Sequence, residues 1–172
     1  MINIFIILAA SIMLTLPGSK KPKSGTLRAL ESLPVSVDDL HESKRARSQR
    51  LEMISREIDS VSSDKIMRFL IVALGYHESA FSFKVGNGKK TGDGGLAFGY
   101  WQSWDKDRSG GVRGQVVRVE SHLRRAGNYC KKRGFDRHIG AISLYATGKS
   151  CNWKEARRRV FLAQRLQEQY GY

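Results

Sequence analysis

One apolar run constrains this chain more than any other stretch. Ile66-Met67-Arg68-Phe69-Leu70-Ile71-Val72-Ala73-Leu74 holds a single charge and no helix breaker. Ser62-Ser63-Asp64 stands before it as a break and a cap. The pattern predicts a buried helix around which the other segments pack. Glu78 falls at its C-terminal end. Burial disfavours a carboxylate, and the negative end of the helix dipole disfavours it again. Both effects favour the protonated form that a general acid needs. A glycine-rich span follows, with Gly86-Asn87-Gly88 and Thr91-Gly92-Asp93-Gly94-Gly95. Glycine at this density permits tight turns and close approach of backbone to a ligand. The span ends in Phe98-Gly99-Tyr100-Trp101-Gln102, whose flat rings and amide suit sugars and their N-acetyl groups.

Glu78-Ser79 followed by Gly99-Tyr100-Trp101-Gln102 resembles the Glu-Ser and Gly-Leu-Met-Gln motifs of soluble lytic transglycosylases and goose-type lysozymes. Leu144-Tyr145-Ala146-Thr147-Gly148 is similar to their third motif, Ala-Tyr-Asn-x-Gly. The resemblance spans roughly Ile66 to Trp153, about half the chain. It departs from the pattern at Tyr100-Trp101 and at Ala146, where the family carries Leu-Met and Asn.

The resemblance implies a mainly α fold of the lysozyme-like α+β kind, a helical domain with a small β-hairpin beside the catalytic glutamate. It implies cleavage of the β-1,4 bond between N-acetylmuramic acid and N-acetylglucosamine in peptidoglycan. Glu78 would be the acid. Ser79, Gly99, Tyr100, Trp101, Gln102 and Tyr145 would bind substrate or hold the acid. No cofactor and no metal is implied. Two mechanisms stay open. A lytic transglycosylase needs only the glutamate and forms an anhydro sugar. An inverting goose-type lysozyme needs a second carboxylate to position water. Asp93, six residues before Gly99, is the candidate for that second group. Asp105 is offset by one residue from another family aspartate.

The chain of 172 residues fits one domain and carries a net charge of +14. Such an excess attracts polyanions and leaves the partner to be read from the site. Anionic wall polymer, anionic lipid and nucleic acid all qualify. Lys131-Lys132-Arg133 and Arg157-Arg158-Arg159 could meet phosphates, but no nucleic-acid-binding motif accompanies them, and no specific nucleic acid is expected. The oligomeric state is not legible. Cys130 and Cys151 are either a disulfide or two buried thiols, with no histidine at zinc-ligand spacing.

Residues 1–16 form an apolar segment with Lys20, Lys21 and Lys23 beyond it. That order suits a membrane-associating or export segment, with residues 1–23 meeting anionic headgroups. The expected location is exported, membrane-associated or virion-associated, at the cell wall. Residues 17–33 read as a linker and 34–172 as the catalytic domain. Within it, 34–61 reads as one helix, with Leu40 inward and the charged stretch Glu42 to Arg50 solvated. Further helices are expected over 115–132, 135–144 and from a cap at Asn152 to Tyr170. His77-Glu78 lacks the second histidine of a metalloprotease, since Phe81 stands there. Asp105 to Gly110 resembles half a calcium loop, but Val116 stands where the closing glutamate belongs.

Overall fold

The computed structural model describes residues 22–103 and 109–172. They are mainly helical: α1 (Gly25–Ser32), α2 (Lys44–Val61), α3 (Lys65–Ser79), the short α4 (Phe83–Gly86), α5 (Gly111–Lys131), α6 (Arg137–Thr147) and α7 (Ala156–Tyr170). Helix α3 is the apolar run, and Phe69 through Gly75 are buried on every side of it. A helix apolar all round belongs at the centre of a fold. Helices α1, α2, α5 and α7 surround it, and α6 packs against α5 and α7. Asp64 starts α3 by accepting from the Met67 amide at 3.3 Å.

Several expectations are corrected. The stretch read as linker contains α1, which Ser24 caps and which buries Thr26, Leu27, Ala29 and Leu30. The single helix over 34–61 is split: a 3-10 turn at Val37–Asp39 precedes α2. Leu40 lies on that turn and is 69% exposed rather than inward. The stretch from Glu42 to Arg50 is not uniformly solvated. Arg50 is buried and donates to Glu42, to Asp39 and to the Phe81 carbonyl. The last helix begins at Ala156 and has Glu155, not Asn152, at its N-cap. Among the described residues, β structure is limited to two isolated antiparallel bridges, Gly92 with Ala97 and Phe98 with Ser103. Left-handed residues at Gly94, Gly95, Gly99 and Gln102 turn the chain every few positions, so no extended run forms. The apolar segment 1–16 and Asp105 lie outside the described residues. Among the described residues no helix is long and apolar enough to cross a membrane.

Gly75 marks the tightest packing of α3. A Cβ there would stand 2.6 Å from Phe81 Cζ and 2.8 Å from Trp101 Nε1. Helix propensity favours alanine over glycine by about 1 kcal/mol. Overpacking a filled core costs about 1–3 kcal/mol. Both colliding atoms belong to rigid buried rings, so the collision wins. Gly75→Ala is expected to lower the denaturant midpoint, and a raised midpoint would mean that the two rings yield.

Cys130 and Cys151 form a disulfide. It joins α5 to the segment before α7 and closes a loop with a sequence separation of 21. In the chain-entropy model such a loop contributes roughly 3 kcal/mol. The double substitution Cys130→Ala with Cys151→Ala is expected to lose about that much, read by chemical denaturation under non-reducing conditions.

Candidate active site

Glu78 is reached through the end of α3. Its C-cap is Ala80, in the left-handed region at φ 48°, and Phe81 follows at φ 52°. Two successive non-glycine residues there are strained. Their surroundings hold them. The Ser79 hydroxyl donates to the Gly75 carbonyl and accepts from the Phe81 amide, both at 3.1 Å. The Phe81 ring is buried against Tyr100 and Trp101. Arg50 binds the Phe81 carbonyl from below. Asp39 accepts from the Ser82 hydroxyl at 3.1 Å and from the Phe83 amide at 2.8 Å. Glu42, expected to pair on a wet surface, pairs with Arg50 at 11% side-chain exposure.

The turn presents Glu78 to a cleft of about 290 Å³, lined also by Gly92, Ala97, Gln102, Tyr145, Ala146, Trp153 and Arg159. The Glu78 side chain is 23% exposed and forms an ion pair with Arg159. It is therefore less deeply buried than the sequence implied, and it is paired with a cation. The Arg159 guanidinium also lies 5.0 Å from the centre of the Trp153 ring. Trp153 is placed by its own amide, which donates to the Ser143 hydroxyl of α6 at 2.9 Å. The Tyr145 hydroxyl donates to the Trp101 carbonyl at 2.9 Å. Burial, and then the nearby Glu78 charge, push the Tyr145 phenol well above its ordinary value, so it remains a neutral donor. Gln102 donates its amide to the Gly99 carbonyl at 2.9 Å.

A wider chamber of about 670 Å³ adjoins this cleft and shares Gln102, Tyr145 and Ala146 with it. Arg118, His122 and Arg125 of α5 line its far side. The cleft that holds Glu78 is the smaller of the two spaces.

The structure brings Glu78, Gln102 and Tyr145 together and places Ser79, Gly99, Tyr100 and Trp101 outside the lining of the cleft. Trp101 is 1% exposed and donates its indole N–H to the Ile71 carbonyl at 2.8 Å. Tyr100 is 4% exposed, with its amide bound to Gln115 Oε1 at 3.0 Å. Both rings belong to the core, so neither supplies the sugar-stacking face expected of it. Gly99, at φ 73°, lets Gln115 approach the backbone. Ser79 braces the turn and does not line the cleft. Asp93 begins a 3-10 turn, Asp93–Gly95, next to the cleft residue Gly92. The direction of its carboxylate lies outside the described residues. No group of acidic, histidine and cysteine side chains suited to a metal occurs among the described residues.

Arg159 and Trp153 line the cleft with Glu78 and are the lining side chains that sequence reasoning missed. Arg159 looked like part of a surface run of arginines. Yet it lies three residues after Ala156 and four before Ala163, both buried on α7. Helical spacing therefore puts it on the inner side of that helix.

Set beside known protein families, curated proteins and solved structures, the chain matches none of them.

Proposed function

We propose that this protein cleaves peptidoglycan glycan strands at the β-1,4 bond after N-acetylmuramic acid, with Glu78 as the acid and a lysozyme-like fold around it. One observation carries the reading. A glutamate at the end of the central helix opens into a cleft with an amide, a neutral phenol and an indole around it. Residues of the three motifs meet there from distant parts of the chain. Glu78 protonates the leaving oxygen. Gln102 and Tyr145 hold the N-acetyl sugar and the acid, and Trp153 offers the aromatic face first expected of Tyr100 and Trp101. The net charge of +14 draws the chain to the anionic wall.

Lytic transglycosylation, in which one glutamate serves as acid and then as base, is the preferred branch, because the Glu78-Ser79 pair and the Tyr145 motif resemble that branch. The alternative is inverting hydrolysis, in which Asp93 positions water. Asp93→Asn separates the two. Loss of a general base costs about 10²-fold or more in rate, so a hydrolase would fall by that much. A transglycosylase would be nearly unaffected, which is the expected result.

The rival class is a non-enzymatic basic protein that binds the wall without cutting it or binds nucleic acid. Clearing of purified sacculi, alongside retention of duplex DNA at rising salt, tests the two against each other. Clearing with only salt-labile DNA retention is expected. Tight DNA binding with sacculi untouched would favour the rival.

A further inference from the structure

We infer that Arg159 is the receiver for a carboxylate on the substrate, and that binding this carboxylate draws the guanidinium off Glu78. The inference rests on the proposed glycan cleavage and adds to it a specificity-determining and positioning residue. Among the described residues lining the narrow cleft, Glu78 and Arg159 are the charged ones. They are paired to each other, with side chains 23% and 14% exposed. While Arg159 holds the Glu78 carboxylate, its oxygen is covered and carries no proton for a substrate oxygen to take. A guanidinium also carries more donors than one carboxylate oxygen uses, in a planar fork matched to a second carboxylate. The Trp153 face beside it supports the guanidinium without competing for its N–H groups.

A neutral sugar strand offers nothing to exchange for Glu78. A muramic acid strand does, through its lactyl carboxylate when unsubstituted or through the carboxylates of an attached peptide stem. As the substrate carboxylate takes the guanidinium, Glu78 is freed to take a proton from water and then give it to the glycosidic oxygen. Arg159 thus couples recognition of the anionic sugar to exposure of the acid. It acts through Glu78 and through binding, not on the reacting bond.

The test uses the full chain and three substrates: stem-bearing strands, stem-free strands with the lactyl carboxylate, and stem-free strands with those carboxyls reduced to alcohols. The quantity read is the ratio of kcat/KM on each carboxylate-bearing strand to that on the reduced strand. Hydrogen bonds to charged groups imply that Arg159→Met lowers this ratio by about ten-fold or more. Arg159→Lys, which keeps the charge without the fork, should recover part of it. Arg157→Met removes the same charge from an exposed position of α7 and should leave the ratio unchanged. A fall on stem-bearing strands alone would assign the carboxylate to the stem, a fall on stem-free strands alone to the free lactyl group, and a fall on both would show that Arg159 receives either. An equal ratio in the wild type, Arg159→Met and Arg159→Lys would overturn the inference while leaving the glycan-cleaving reading intact. A ratio lowered equally by Arg157→Met would also overturn it, as a general charge effect. A wild type that cuts none of the three strands would remove the reading and the inference together.

Discussion

Glu78→Gln is expected to abolish clearing of a peptidoglycan suspension while leaving the fold in place. A positioned general acid contributes typically 10²–10⁴-fold, and Gln cannot donate that proton, so a loss of about 10³-fold or more is expected. The fold should tolerate the change. Gln keeps an acceptor oxygen for Arg159, and the ion pair it replaces is partly open to water, at 23% and 14% side-chain exposure. Exposure of that kind reduces what an ion pair contributes. The thermal midpoint should therefore move little. Near wild-type clearing by a folded Glu78→Gln protein would remove Glu78 from the acid role.

Arg50→Met is expected to have the largest effect on stability. Its guanidinium is bound by Glu42, by Asp39 and by the Phe81 carbonyl, with side-chain exposures of 7% for Arg50 and 3% for Asp39. Methionine fills similar space but leaves the buried Asp39, the partly buried Glu42 and a buried carbonyl without that partner. Breaking a buried ion pair from one side costs about 3–5 kcal/mol. The damage should reach the site, because the Phe81 carbonyl belongs to the left-handed turn that aims Glu78. Denaturant unfolding should show the loss, and clearing activity should fall even where the variant is still folded. A loss below about 1 kcal/mol would match an exposed pair and contradict the buried arrangement.

The central helix was legible because an apolar run without breakers has few other places to go. Its start at Asp64 was legible for the same local reason. Gly75 held more information than was drawn from it. A glycine among large apolar residues marks where rings press on a helix, and Tyr100 and Trp101 would then have read as core. Helix α1 was hidden by the Pro, Gly, Ser and Lys around it, although Ser24 ahead of Leu27, Ala29 and Leu30 is a cap followed by an apolar face. The Asp39–Glu42–Arg50 cluster was not legible. Charges close together in sequence are usually solvated. Only the arrival of the Phe81 turn, from the far side of the central helix, buries them. The site was half legible. Glu78, Gln102 and Tyr145 came from motifs, whereas the Arg159 and Trp153 contacts depend on how α7 crosses α3.

The most direct measurement is a mass spectrum of the sugar ends released when the purified full chain digests sacculi, with Glu78→Gln run in parallel. The wild type should release new chain ends at N-acetylmuramic acid that carry the anhydro mass and resist borohydride, and Glu78→Gln should release none. Reducing muramic ends would keep Glu78 and shift the reaction to hydrolysis. No new glycan ends from a folded wild type, or the same ends from both proteins, would contradict the account.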